Sequence, residues 1–185
     1  GTSFAAQSTL FGNDAACVSY QGTVSEVTHP TNTAGTILTG LQYTSISAND
    51  SDWLLVAGSS SLDGFVRSNC TLPTNNGVNW VYIETFAHSS STGNQQAISV
   101  WNFTNSAWHN VVLVAETVDD QKLSYNISNS LLSKFISGNT INYLTRVWGT
   151  AGRDYSDNYQ RIIVDYNVTG DTTKPYVSIQ LPANN

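Results

Sequence analysis

Ala97 to Glu116, AISVWNFTNSAWHNVVLVAE, is the stretch that decides the fold class. Its two halves are rich in Val, Ile, Trp and Phe, residues that suit a pleated, half-buried surface, and Thr104-Asn105-Ser106 between them has the chemistry of a turn. Along the first half Ala97, Ser99, Trp101 and Phe103 fall on one face, and Ile98, Val100 and Asn102 on the other. That is the two-residue period of a strand, not the period of a helix. The stretch reads as one β-hairpin.

Further strands follow on both sides. Val78 to Ala87 alternates Val78, Trp80, Tyr82, Glu84 and Phe86 against Val81, Ile83 and Thr85. Gln121 to Ile127 is another strand, and Ile141 to Trp148 with Tyr159 to Val168 reads as a second hairpin around the ten-residue loop GTAGRDYSDN. Upstream, Thr2 to Phe11, Ala15 to Thr28 and Thr36 to Ile46 read as strands, and Trp53 to Ala57 as a short one of the fully buried kind. Asp63-Gly64 has the composition of a turn. Asn129 to Gly138 is the helical candidate, with Asn129 to cap it and Gly138 to end it. About ten strands and one short helix predict an all-β, two-sheet antiparallel β-sandwich, jelly-roll-like, over residues 1–168. A lipocalin-type barrel is the alternative. Residues 169–185 form a linker and a C-terminal strand.

Composition narrows the partners. Thirteen acids stand against seven bases in 185 residues, giving a net charge of -6, and the bases are scattered without a run. Phosphate recognition needs clustered Lys and Arg, so no nucleic-acid partner is expected. No apolar run approaches the roughly 20 residues of a spanning helix, so no membrane insertion is expected either. Ser and Thr number 44 and Asn 19, a surface of hydroxyls and amides that suits a secreted, extracellular or cell-surface protein. Gly1 at the start and the absence of Met fit a mature chain whose signal segment has been removed. Cys17 and Cys70 are the only cysteines, which in that setting points to one disulfide, the rival being two buried thiols.

Two segments carry a resemblance: Trp101-Asn102-Phe103-Thr104-Asn105-Ser106-Ala107-Trp108, and Thr145-Arg146-Val147-Trp148 with Ile162-Ile163-Val164-Asp165-Tyr166. Together they resemble the second half of secreted jelly-roll domains of the carbohydrate-binding-module type. The likeness covers roughly Ile98 to Val168 and implies the fold; its motif residues are packing residues, so no sugar-contacting position follows from it.

No catalytic signature is present. His29, His88 and His109 lie apart without ligand spacing, and there is neither a nucleophile elbow nor a phosphate-binding loop. The expectation is therefore a non-enzyme without metal or cofactor. Glu84 and Glu116 are the nearest thing to a hydrolytic carboxylate pair, and read more simply as solvent-facing strand positions. Asp50/Asp52, Asp119/Asp120 and Asp154/Asp157 could collect around Ca²⁺, but turn chemistry explains each equally well. Five sequons begin at Asn49, Asn69, Asn102, Asn126 and Asn167, about the number that chance supplies at this Ser, Thr and Asn content. Among the aromatic residues, Trp108, Tyr155 and Tyr159 flank turns and are the candidates for a sugar-stacking platform.

The C-terminal strand suggests another function. In Tyr176-Val177-Ser178-Ile179-Gln180-Leu181, Val177, Ile179 and Leu181 form a clean apolar face beyond a polar linker. A terminal strand of this kind has to find a sheet edge. With Tyr176, Val177, Ile179 and Leu181 as donor, or Thr2 to Phe11 in their place, copies of the chain could complete one another into an extracellular filament. This structural homopolymer is the first functional expectation, and a carbohydrate-binding module that takes glycans through surface aromatics is the second.

Overall fold

In a computed structural model the described residues are 3–12, 14–48, 50, 52–73, 77–149 and 152–169. The strands are β1 (Ser3–Phe11), β2 (Cys17–Ser25), β3 (Thr36–Ile37), β4 (Leu54–Val56), β5 (Leu62–Thr71), β6 (Val78–Ser89), β7 (Gln95–Asn102), β8 (Ala107–Ala115), β9 (Gln121–Ile127), β10 (Ile136–Ser137), β11 (Thr140–Trp148) and β12 (Tyr155–Thr169), with two short helices, α1 (Gly40–Thr44) and α2 (Asn129–Phe135). They form two antiparallel sheets. Sheet A runs β1-β12-β6-β9 with β4 also on β12; sheet B runs β3-β2-β5-β11-β7-β8 with β10 on β11. The chain passes repeatedly from one sheet to the other, as in a jelly roll.

The hairpin read from Ala97 to Glu116 is β7 paired with β8, Trp101 opposite Trp108. Ser106 takes a positive φ of 52° in its turn, and the Asn102 carboxamide oxygen accepts from the Thr104 N–H at 2.9 Å. The second expected hairpin is not one. β11 lies between β5 and β7 in sheet B, whereas β12 lies between β1 and β6 in sheet A, so the segment joining them crosses the sandwich. Adjacent strands with apolar faces look alike whether they pair with each other or with two different sheets. Thr36 to Ile46 is also not one strand, since only Thr36–Ile37 pair before α1 begins at Gly40, which has a φ of 54°. Asp63-Gly64 is no turn but the interior of β5: the Asp63 carboxylate is buried against Arg146, and Gly64 lets the Val56 carbonyl approach so closely that an added Cβ would meet it at 2.5 Å.

Directly opposed residues of an antiparallel pair share a face, so register assigns the interior. Val81, Ile83, Ile162 and Val164 of sheet A meet Val100, Ile141 and Tyr143 of sheet B in the larger apolar cluster, which also holds Cys17 and Cys70. A second cluster gathers Val56, Val66, Ala87, Val147 and Tyr155. Along each central strand a polar residue falls between the two: Thr85 on β6, Gln160 on β12, Ser68 on β5 and Thr145 on β11. Three of them are linked, Thr145 Oγ1 to Gln160 Oε1 at 3.0 Å and Gln160 Nε2 to Ser68 Oγ, with Ser19 Oγ 2.6 Å from Ser68 Oγ, while Thr85 Oγ1 donates to the Tyr159 carbonyl at 3.2 Å. A buried polar belt therefore divides the core. Cys17 and Cys70 are opposed across β2 and β5 and joined by a disulfide.

Of the proposed donor strands, Tyr176, Val177, Ile179 and Leu181 lie outside the described residues. Of the alternative, Thr2 to Phe11, the described part Ser3–Phe11 is seated within its own chain, since β1 pairs with β12 from Ser3–Thr169 to Phe11–Arg161.

Candidate functional site

The sandwich has two outward faces, and the chain treats them differently. On sheet B the segment from Glu26 to Gly35 lies across the strands. Five alternate carbonyls of this segment accept from side chains of the sheet. Arg146 donates to Glu26 at 2.9 Å and to Thr28, Trp108 Nε1 to Pro30 at 2.9 Å, Asn142 Nδ2 to Asn32 at 3.0 Å, and Arg67 Nε to Ala34 at 3.0 Å. The His29 ring enters beside Trp148 and Trp108, with centroids 4.7 and 6.3 Å away, and its Nε2 lies 2.8 Å from Asn110 Oδ1. Burial pulls the His29 imidazole below its ordinary pKa; the Asn110 bond opposes this, and the charges of Arg146 and His109 add to it. Arg146 is fully buried and paired with Asp63 at 3.4 Å.

Among the described residues the outer face of sheet A carries no such cover. Register places Trp80, Tyr82, Glu84, Phe86 and His88 of β6 on it, beside Asp165, Ile163, Arg161 and Tyr159 of β12. Phe11, Thr9 and Gln7 of β1 flank them on one side, and Lys122, Ser124 and Asn126 of β9 on the other. Phe86 stacks on Tyr159 with centroids 5.8 Å apart, and Phe11 meets Tyr159 edge-on at 6.1 Å. From Trp80 to His88 the face extends about 27 Å at strand rise.

Glu84 is the hub of this face. It accepts from the Tyr159 hydroxyl at 2.7 Å and from Arg161 Nη2 and Nε at 2.8 and 3.1 Å, with the Tyr82 hydroxyl at 3.4 Å and Lys122 Nζ at 3.8 Å. Burial alone would raise its pKa, but the Tyr159 and Arg161 bonds with the two nearby cations hold it below the usual carboxylate value. The same contact, together with burial, pushes the Tyr159 phenol up.

At one end of the face stands Trp53. Its ring is 46% exposed, yet it is fixed: Nε1 donates to Asp120 Oδ2 at 3.0 Å, and the ring meets His88 edge-on at 5.6 Å. Asp120 is held in turn by His88 Nδ1 at 2.6 Å and Asn158 Nδ2 at 3.1 Å. Asn158 sits where the register of β12 on β6 slips, and this irregularity turns its side chain toward the loop that carries Trp53, with Asp50 N–H donating to it at 3.1 Å. Burial would raise Asp120, but the His88, Trp53 and Asn158 donors win and lower it. An exposed indole is thus locked in place by a half-buried network.

The residues proposed from sequence fall elsewhere. Trp108, Tyr155 and Tyr159 are 9%, 1% and 8% exposed, so they form no platform; turn-flanking position did not mean exposure, because the Glu26–Gly35 segment covers the first and the sandwich interior holds the second. Trp53, read as part of a buried strand, precedes β4 and is open. The Asn-Asp-Ser-Asp turn before it was the signal. Glu84 and Glu116 are not solvent-facing: both are buried, Glu84 with Arg161 and Glu116 with Arg153, in separate ion pairs. Of the sequon asparagines, Asn102 is buried and spent on its turn, which removes it as an acceptor. Asn69 is half-buried, Asn126 and Asn167 are exposed on the sheet A face, and Asn49 lies outside the described residues. Among the described residues no three His, Cys, Asp or Glu side chains converge as metal ligands. Asp50 accepts from the Asp52 N–H in a local turn at 2.8 Å, Asp154 accepts from the Gly58 N–H at 2.7 Å, and Asp157 is buried inside the sandwich. A cleft between β6 and α2, lined by Gly77, Val78, Leu132, Ser133, Ile136 and Gly138, bears no titratable side chain.

No family model matches the chain, and no curated protein matches it. Solved structures of carbohydrate-binding modules are similar to it in shape. TmCBM61 in complex with beta-1,4-galactotriose is 15% identical, with 84% of this chain and 86% of that one covered and a TM-score of 0.43. The xylan-binding module CBM15 is 12% identical over 86% and 97%, TM-score 0.45. The CBM22-1 xylan-binding domain from Paenibacillus barcinonensis Xyn10C is 10% identical over 88% and 94%, TM-score 0.43.

Proposed function

We propose that this chain is a non-catalytic carbohydrate-binding domain that takes a glycan along the outer face of sheet A. Trp53 carries the reading: a large, nearly half-exposed ring whose orientation is held by Asp120 and His88 loses little conformational freedom when a sugar stacks on it. Beyond it, the half-buried Phe86 and Trp80 and the polar Lys122, Ser124 and Gln7 offer apolar surface and hydrogen-bonding groups in alternation along the strands. The strand-exchange filament rests on Tyr176 to Leu181, whereas this face is made of described residues, and we therefore place glycan binding ahead of it. The test is affinity electrophoresis through gels containing soluble plant and microbial polysaccharides. At least one polymer is expected to retard the wild-type protein, and Trp53→Ala to weaken that retardation about tenfold or more while the exposed control Leu41→Ala does not. Unretarded migration in every gel would sink the reading.

A further inference from the structure

The charges on the open face are sorted by depth. Its acids are turned inward and saturated with donors: Glu84 by Tyr159 and Arg161, Asp120 by His88, Trp53 and Asn158, and Asp165 by Gln7 Nε2 at 3.3 Å and Asn79 Nδ2 at 2.7 Å. Its cations point outward. The Lys122 side chain is 57% exposed and its Nζ stands 3.8 Å from Glu84, beyond hydrogen-bond length, while the Arg161 side chain is 30% exposed. Elsewhere Arg67 and Arg146 are buried under the Glu26–Gly35 segment, and Arg153, partly exposed like Arg161, is paired with Glu116. A protein with a net charge of -6 therefore presents, next to the Phe86–Tyr159 stack, two outward cations over one buried acid.

Register gives this charge a fixed place. Lys122 is opposite Phe86, which is opposite Tyr159, so ammonium and aromatic pair lie in one row across three strands. Arg161 lies in the next row, between Phe11 and Glu84. A sugar ring set against the partly exposed Phe86 ring brings a substituent on its rim within reach of Lys122.

Building on the glycan reading above, we infer that the sheet A face selects anionic glycans, those whose rings carry a carboxylate or sulfate, over their neutral counterparts. Lys122, exposed and without a hydrogen bond to Glu84, supplies the available positive charge, and Arg161, which donates directly to Glu84, keeps that carboxylate from cancelling it. The preference is electrostatic and partly exposed, so it is screened by salt.

The test uses polymer pairs that differ in charge: polygalacturonate against its methyl ester, glucuronoxylan against xylan stripped of its acid branches, and carrageenan against its desulfated form. Binding is measured by isothermal titration at about 20 mM and about 500 mM NaCl, salt levels either side of a Debye length of 10 Å. In at least one pair the anionic member is expected to bind about fivefold tighter at low salt, the gap shrinking at high salt. Lys122→Gln is expected to bring that ratio toward one, whereas Lys134→Gln, an exposed cation on α2, leaves it unchanged. Equal or tighter binding of the neutral members overturns the inference while the glycan reading stands, as does a ratio that survives Lys122→Gln. Failure of both members of every pair, together with silence in the electrophoretic survey, removes both.

Discussion

The two outer faces of this sandwich are built from the same kinds of residue, aromatic rings beside arginine and amide side chains, yet among the described residues one is sealed and the other is open. On sheet B the Trp108 indole, the Asn142 amide and the Arg67 and Arg146 guanidinium groups find their acceptors in carbonyls of the chain's own Glu26–Gly35 segment. On sheet A the corresponding groups find acceptors in Glu84, Asp120 and Asp165, which lie within the face and leave the rings above them uncovered. Where the acceptors come from thus decides whether an aromatic face becomes core or surface.

Substitutions can break this contrast, and the largest effect belongs to the sealed side. Arg146→Ala strands the buried Asp63 and two strap carbonyls, and is expected to cost about 3–5 kcal/mol in urea unfolding, with Arg146→Met/Asp63→Asn recovering much of it. Next comes the interior behind the open face. Asp157 is buried, with burial raising its pKa to about 8, Thr85 opposing and the Asp120 charge adding. The fold keeps that proton while the unfolded chain loses it near 3.8, so the contribution is fully present below about pH 4 and is lost as pH rises through 8, at about 1.4 kcal/mol per unit. Asp157→Asn is expected to flatten the fall in stability between pH 4 and 8.

His29 works in the opposite direction. Its folded pKa is lowered, so its contribution is present above pH 6.5 and is lost as pH falls below that value. His29→Gln is expected to remove the acid-side loss at pH 5, seen as a smaller shift in thermal midpoint between pH 7 and pH 5. Smaller again, Trp108→Phe deletes one neutral hydrogen bond to Pro30 and is expected to cost about 1 kcal/mol. The smallest stability effect belongs to Trp53→Ala, within about 0.5 kcal/mol, even though it is expected to have the largest effect on binding.

The sandwich was legible because alternation is a local property. Val78 to Ala87 already separated Val81 and Ile83 from Trp80, Tyr82, Glu84 and Phe86, and these are the inner and outer faces of β6. What alternation leaves out is which outer face acquires a cover. The Glu26–Gly35 segment is held mainly through its backbone carbonyls, which leave no mark on residue identity, so Trp108 looked exposed. Trp53 was missed for a related reason. Its apolar neighbours Leu54 and Val56 are core, and contacts with Asp120, 67 residues away, and with His88 hold the indole outside.

The polar belt of Thr85, Gln160, Ser68 and Thr145 gives the sandwich two cores with a hydrophilic seam between them. A seam is where cooperativity weakens, since neither apolar cluster gains much from contact with the other across it. The disulfide lies in only one of the two. Amide exchange is therefore expected to resolve two opening units, with β4, the start of β12 and the end of β6 exchanging ahead of the cystine-bearing half. Trp53 stands at the margin of the less durable unit, so the ring proposed to stack on a glycan is mounted on the part of the molecule expected to yield first, and a bound glycan would register as slowed exchange at that end.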